Sequence, residues 1–285
     1  MSKRILITGY SGHLGKEFVR RNKGTFEFVG LARTRTGLLD TELSWTMGEP
    51  MPKVTQAVDT VVHFAWSTDT AYCEDHKAQV LQSNLDGTLQ LLDWAKENAT
   101  RFVFISTGSV YSSNNEPSDE DAPHKPLDFY NLTKSLGEQL CNYYSSHLSV
   151  TSIRPIFPFG DGTKPGRLID ILYSRVKNEQ AITLNQGGAP STNPIYIDDF
   201  TGASSTVIHC PEIDRAYNFG GPEILSIRDI AIQIGEVLGQ SPHFVESGNT
   251  VTDFAGKVDR LQKIYRFRFS FRDAIEQIAR DRGDR

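Results

Sequence analysis

Apolar residues in this chain fall into short continuous runs, separated by glycine-containing or polar loops and by stretches with helical period. Residues 3–8 are an apolar, β-rich run, 9–15 a glycine loop, 16–22 a helix and 26–31 a second strand. That order is a βαβ unit. Residues 38–55 carry no clear period and read as a loop-rich connection. The run 57–65 is continuously apolar, as a parallel strand covered on both faces requires. A polar loop, 66–75, follows at its carboxyl end, where open α/β sheets bind ligands. Leu81, Leu85, Leu89 and Leu92 then recur at helical spacing and serve core or interface. Asn84 lies among them, and its amide is expected to satisfy a nearby backbone group. A further buried strand, 101–105, runs into the hydroxyl-rich 106–111. After an acidic, proline-containing loop at 116–126, a helix starts near 130 and continues through 144. A strand follows at 150–153.

Beyond Arg154 the texture changes. Pro155, Pro158, Gly160, Gly162, Pro165 and Gly166 interrupt regular structure and mark a boundary. The expected division is a dinucleotide-binding domain at 1–155 and a mainly substrate-binding portion at 156–285, some of whose segments return to the first domain. Within the second part the pattern predicts a helix over 167–178, a turn at Gly187-Gly188 and a short strand at 195–197. A helix capped by Asp198 or Asp199 follows. Residues 216–219 read as a strand, and Ser226 as the N-cap of a helix over 227–238 that Gly239 ends. The tail, 260–285, reads as an amphipathic helix with a solvated basic face.

Composition narrows the class. The chain has 285 residues, a formal net charge of -5 and 38% hydrophobic residues, within the range of globular enzymes. No apolar run approaches the ~20 residues of a membrane span, and no charged-then-apolar leader is read at the start. Three widely spaced cysteines, Cys73, Cys141 and Cys210, form no CxxC pair, so neither a disulfide framework nor a zinc site is indicated and a reducing cytoplasm is expected. The acidic balance argues against nucleic acid as a partner.

Two stretches carry chemistry. Gly9, Gly12 and Gly15 are spaced GxxGxxG between a strand and a helix, where glycines let the backbone approach a pyrophosphate set against the helix N-terminus. Tyr10, Ser11, His13 and Leu14 complete that loop. At the end of the second strand, Arg33 and Arg35 stand where NAD-specific chains place a carboxylate. Two arginines suit the 2′-phosphate of NADP, with NAD as the alternative. The second stretch is Tyr130-Asn131-Leu132-Thr133-Lys134. On a helix its ends stack on one face, and the ammonium favours the phenolate of its neighbour, which makes the pair an acid–base device.

Taken in order, the glycine loop, His63-Phe64-Ala65, the segment from Asn84 to Leu92, Ser106 to Tyr111, Tyr130 to Lys134, Arg154-Pro155, Ile195 to Asp199 and Asn218-Phe219-Gly220 resemble the extended short-chain dehydrogenases/reductases, the NAD(P)-dependent epimerase/dehydratase family. The resemblance covers nearly the whole chain. It implies an α/β Rossmann fold, a doubly wound and mostly parallel sheet, with a smaller C-terminal portion closing over the substrate. It implies that Tyr130 is the catalytic acid/base, that Lys134 lowers its pKa and binds the nicotinamide ribose, and that Thr107 holds the reacting oxygen. Phe64, Ala65, Asn84 and Pro155 join the cofactor-binding set by the same resemblance. It also implies a homodimer formed through helices at about 80–97 and 130–147.

Departures from the family pattern bear on the substrate. The dehydratase branch follows its threonine with an acidic pair, whereas this chain has Gly108-Ser109, which disfavours water elimination. Phe157 replaces an asparagine common in nucleotide-sugar branches, and Ser191-Thr192-Asn193 stands where an arginine often binds the diphosphate. Trp66, Ser67, Thr107, Tyr111, Phe157 and Phe159 are the expected substrate contacts, an aromatic set. The leading expectation is an NAD(P)-dependent oxidoreductase that reduces a ketone, or oxidises the alcohol, on a small molecule such as a sugar or nucleotide sugar. The alternatives are an NAD-retaining sugar epimerase and, from another class, a non-catalytic NADP-sensing regulator.

Overall fold

The computed structural model describes residues 2–111 and 116–284. The first βαβ unit forms as the pattern requires: β1 (Lys3–Thr8), α1 (His13–Asn22) and β2 (Phe26–Ala32), with β2 parallel to β1. Ile5, Leu6 and Ile7 are completely buried because β1 is central and covered on both faces. β3 (Thr41–Ser44) pairs parallel to β2 inside the stretch read as loop. Its four residues are half-buried to exposed and carry no apolar run, so the period-2 signal was too short to register. β4 (Thr60–His63) is shorter than the apolar run that contains it. Then come α2 (Thr70–Asp75) and α3 (Lys77–Leu81), a π-helical turn at Gln82–Asp86, and α4 (Gly87–Asn98), where the leucine spacing had implied one continuous helix.

β5 (Arg101–Ile105), α5 (Phe129–Tyr144) and β6 (Ser149–Pro155) follow. Asp128 caps α5 by accepting the Asn131 amide at 2.7 Å. Next are α6 (Leu168–Lys177), β7 (Ile182–Leu184), β8 (Ser191–Thr192), α7 (Ile197–His209) and β9 (Ala216–Phe219). The strand expected at 195–197 is absent. Tyr196 makes a single bridge to Phe159 and the chain turns helical at Ile197. Asp198 and Asp199 both lie in the first turn of α7, and the Asp199 carboxylate accepts the Tyr265 hydroxyl and the Arg268 amide. β10 (Leu225–Ser226), α8 (Ile227–Leu238), β11 (Phe244–Glu246), α9 (Asp259–Gln262) and α10 (Phe271–Asp281) complete the chain. α8 has the expected start and stop: Ser226 and Asp229 form a capping box, and Gly239 ends the helix at φ 67°.

Seven strands form one sheet in the order β3-β2-β1-β4-β5-β6-β9, and the pairings from β3 through β6 are parallel. The order reverses beside β1, so the carboxyl ends of β1 and β4 flank a topological switch point, the place where such sheets bind ligands. The chain divides into two compact units. One comprises residues 1–110, 123–154 and 204–217, the other 111–122, 155–203 and 218–285. In the first, Arg101 holds the 207–211 segment through the carbonyls of Val207, Ile208 and Pro211. In the second, Phe159 packs on Tyr196 and Phe271, and Asn193 ties the carbonyls of Gly221 and Gly256. Among the described residues no helix is long and apolar enough to cross a membrane.

Candidate active site

The glycine loop joins β1 to α1 through a turn that side chains would block. Gly9 has φ 68°, and a Cβ there would lie 2.4 Å from the Ala65 amide nitrogen. A Cβ on Gly15 would lie 2.4 Å from the Gly9 carbonyl oxygen. The Gly12 amide donates to Gly9 O at 3.0 Å, closing the turn. Gly12 is also the N-cap of α1 and has no side chain to satisfy the first amides, which leaves them and the positive end of the helix for an anion. Ser11 and His13 are exposed beside it and Leu14 is half-buried. The facing strand end is pinned by the Phe64 amide donating to Thr8 O and the Ala65 amide to Thr8 Oγ1, each at 3.2 Å.

Behind this cradle runs a buried relay. The Thr8 hydroxyl meets His63 Nδ1 at 2.6 Å, and His63 Nε2 meets Thr88 Oγ1 at 3.0 Å. Thr88 in turn donates to the Asn84 carbonyl within the π-helical turn. With Thr88 spending its proton on Asn84, His63 carries its own on Nε2 and accepts at Nδ1. Burial, and then the Lys134 charge, lower its pKa to about 3, so it is a neutral structural residue. The Asn84 side chain accepts the Ser67 amide at 2.9 Å, the backbone role expected of it. Its Nδ2 is buried with no hydrogen-bond partner among the described residues. A glycine cradle with an unspent buried donor beside it fits a dinucleotide.

Tyr130 and Lys134 lie one turn apart at the start of α5, and Tyr130 is half-buried. Lys134 is 3% exposed. Its Nζ donates to the Ile105 carbonyl at 2.5 Å, at the carboxyl end of β5, two residues before Thr107. The ammonium also lies over the Trp66 ring at 4.1 Å and the Phe104 ring at 4.8 Å. Trp66 is therefore a neighbour of Lys134, with its Nε1 reaching Thr133 Oγ1 at 3.3 Å. Gly137 makes room for it, since a Cβ there would lie 2.9 Å from the indole.

Burial lowers the Lys134 pKa from 10.5 to about 7, against the opposing pull of Glu138 and Cys141. The unfolded chain binds a proton at this site up to about 10.5 and the folded chain only up to about 7, so between those values unfolding takes up a proton. The stability contribution of the site therefore rises with pH through that window. Lys134→Met removes the rise: the stability difference between variant and parent, measured by urea denaturation, narrows as pH goes from 7 to 10.

One turn further along α5, sequence reasoning missed a buried ion pair. Glu138 accepts Arg154 Nε at 3.0 and 3.1 Å and Nη2 at 2.6 Å, and also accepts the Ser106 hydroxyl. Arg154 Nη2 contacts His124 Nε2 at 2.9 Å, and His124 Nδ1 contacts Ser135 Oγ at 2.8 Å. Because a guanidinium only donates, His124 must accept at Nε2. This is the neutral form, in line with the downward shift that burial gives its pKa. The pair joins α5 to β6 and, through Ser106, to the end of β5. Its sequence signal is a glutamate four residues after the lysine, visible once the tyrosine and lysine are accepted.

A second missed residue is Glu42, on β3. Its carboxylate accepts the backbone amides of Thr36, Gly37, Leu38 and Leu39 and the Thr36 hydroxyl. Arg33 and Arg35 lie in the same loop, exposed and without an ion pair among the described residues. Nine residues, 33–41, separate the end of β2 from the glutamate that folds back on it, which hides it from a motif read at the strand end.

In the second unit the expected aromatic residues separate by exposure. Tyr111 and Phe159 are each 4% exposed, and the Tyr111 hydroxyl donates to Asn218 Oδ1 at 2.9 Å. Pro155 is buried at the end of β6. Phe157 is 37% exposed, has φ 40° and stacks edge-on against Phe254 at 5.4 Å. A phenylalanine in the left-handed region is uncommon, and asparagine tolerates it best.

A parallel sheet with its switch point at a glycine cradle, together with a tyrosine and lysine one turn apart beside a strand-end threonine, defines an NAD(P)-dependent enzyme of the extended short-chain dehydrogenase/reductase type. Residues 5–220 match the NAD dependent epimerase/dehydratase family, and the chain belongs to it. It is 26% identical over 197 residues to a trifunctional UDP-glucose 4,6-dehydratase/UDP-4-keto-6-deoxy-D-glucose 3,5-epimerase/UDP-4-keto-L-rhamnose-reductase of Arabidopsis thaliana. That match covers 66% of this chain but only 30% of the plant protein. A Bacillus subtilis protein described as an uncharacterized UDP-glucose epimerase is 25% identical over 290 residues, covering 88% of this chain and 90% of its own length. Among solved structures, UDP-glucuronic acid 4-epimerase from Bacillus cereus, in complex with UDP-glucuronic acid and NAD, superposes with a TM-score of 0.81 at 21% identity, covering 96% of this chain and 97% of that one.

Proposed function

We propose that this chain transfers hydride reversibly between NAD(P) and a carbinol or ketone carbon of a nucleotide-linked sugar. The observation that carries the reading is the Tyr130/Lys134 pair on one face of α5, with the Lys134 ammonium buried at the end of β5 near Thr107. A bound nicotinamide supplies the hydride acceptor and donor. Tyr130 gives its phenolic proton to the oxygen of the reacting carbon in reduction and takes it back in oxidation. Thr107 fixes that oxygen by a hydrogen bond, and Lys134 favours the phenolate through its charge and offers its remaining donors to the nicotinamide ribose. Gly108 and Ser109 supply no acid to expel water, so the chemistry stops at hydride and proton transfer.

A second reading is an epimerase that retains its cofactor and oxidises and re-reduces one carbon on opposite faces. It is favoured by the descriptions of the Bacillus subtilis relative and the Bacillus cereus fold neighbour as epimerases. Trp66 and Ser67 are the proposed substrate contacts of the first unit, and Phe157 supplies an exposed ring in the second. Leu89 on α4, with Leu132 and Tyr143 on α5, are exposed apolar side chains that support pairing of two copies through these helices.

The test is to incubate the purified chain with a panel of UDP- and dTDP-linked sugars and their keto derivatives. Net consumption of reduced nicotinamide identifies the reductase. An inverted sugar without net consumption, from enzyme that releases a dinucleotide only on denaturation, identifies the epimerase. Inactivity across the panel, with dinucleotide-dependent capture of another protein, would sink both and leave the regulator.

A further inference from the structure

Dinucleotide folds discriminate NAD from NADP where β2 ends, and here that position gives a contradictory message. Arg33 and Arg35 invite a 2′-phosphate, yet the loop that carries them is wrapped around a carboxylate. We infer that Glu42 is the residue that sets the dinucleotide preference of this chain, by occupying with its own side chain the anion cradle that follows β2. The inference rests on the dinucleotide reading above.

Three observations support it. Glu42 Oε2 accepts the Thr36 amide at 2.5 Å and the Gly37 amide at 3.1 Å. Its Oε1 accepts the Thr36 hydroxyl at 2.8 Å, the Leu38 amide at 2.9 Å and the Leu39 amide at 3.0 Å. Four consecutive amides aimed at one point form a concave anion site, and a phosphate would need the same donors. Those hydrogen bonds pull the Glu42 pKa down to about 2, so the cradle holds a full negative charge at any working pH.

The second observation places this cradle beside the glycine loop. A Cβ on Gly30 of β2 would lie 2.6 Å from the Tyr10 ring and 2.8 Å from Leu39 Cδ1. The second residue of the glycine loop and the last residue of the Glu42 cradle thus meet over one glycine. The third is the Tyr10 side chain, fully buried, whose pKa burial and then the nearby Glu42 charge raise to about 12, so the ring that abuts the glycine loop stands in the field of the Glu42 carboxylate.

A carboxylate held by the loop that carries the two arginines cancels part of their attraction and repels a phosphate brought to the same donors. The parent chain is therefore expected to bind NAD at least as tightly as NADP. Removing Glu42 empties the cradle and leaves Arg33 and Arg35 unopposed, which converts the loop into a 2′-phosphate site.

The experiment is isothermal titration of the full chain with NAD and with NADP, no substrate present, for parent, Glu42→Gln and Glu42→Ala. Glu42→Gln keeps the shape and removes the charge, so it remains informative if the shorter variant unfolds. The expected result is a shift of the affinity ratio toward NADP by roughly tenfold or more. An unchanged ratio, including one in which both affinities fall together because the loop has lost its staple, overturns the inference and leaves the dinucleotide reading standing. A parent chain that binds neither dinucleotide overturns both.

Discussion

Tyr130→Phe lowers turnover by roughly 10²–10⁴-fold and leaves dinucleotide affinity nearly unchanged. The substitution removes one oxygen from a half-buried ring in the first turn of α5, a turn whose start is fixed by the Asp128 cap. Under the proposed mechanism, what is lost is the proton that the reacting oxygen receives or gives up. Lys134, one turn on, keeps its hydrogen bond to Ile105 and its place over Trp66, and the glycine cradle is untouched. The effect should therefore appear in kcat, with dinucleotide titrations superimposing on the parent. A variant that turns over at the parental rate would remove Tyr130 from the mechanism and return the pair to an accident of spacing.

Arg154→Met is expected to destabilise the chain by about 3–5 kcal/mol, the range for breaking a buried ion pair from one side. Arg154 and Glu138 are 4% and 7% exposed, and the guanidinium provides three of the contacts that neutralise the carboxylate. Without it Glu138 retains the Ser106 hydroxyl but stays buried without its hydrogen-bonded counterion, with His124 Nε2 at 3.8 Å as a remaining neighbour. The double variant Glu138→Met, Arg154→Met removes both charges and should recover much of the loss, because the penalty lies in the unpaired partner. Urea denaturation of the parent, both single variants and the double variant measures the coupling. Strictly additive losses would show that the pair does not act as a unit. Since Ser106 precedes Thr107 and Glu138 follows Lys134 by one turn, the single variants should also reduce turnover, through displacement of the residues they brace.

The central architecture was legible before any coordinates. β1 and β5 flank the central strand β4 and β2 lies one position further out, all of them inside the edges of the sheet, and such strands announce themselves as apolar runs. The glycine loop was legible because its conformation excludes side chains: Gly9 and Gly15 leave no room for a Cβ. Ser226 and Gly239 marked the ends of α8 because capping depends on residues within a few positions of each other. The illegible elements share the opposite property. β3 is an edge strand with no buried face to impose a pattern, and the break in the helix before α4 depends on Thr88 and the Asn84 carbonyl. The expected strand at 195–197 carries enough apolar residues for a strand but makes only one bridge.

The active-site chemistry divides along the same line. Sequence by itself named the candidate groups: the glycine cradle and the Tyr130/Lys134 pair through spacing that a strand–loop–helix turn or a helix converts directly into geometry, and Thr107 through the family resemblance. Only the tertiary structure decided how those groups are tuned. Lys134 owes its lowered pKa to burial against Trp66 and Phe104, which come from two other strands or strand ends. Glu138 finds Arg154 sixteen residues away, and Glu42 folds back on a loop that its own position in the chain does not suggest. Electrostatic environment is set by distance through space, and a sequence records only distance along the chain.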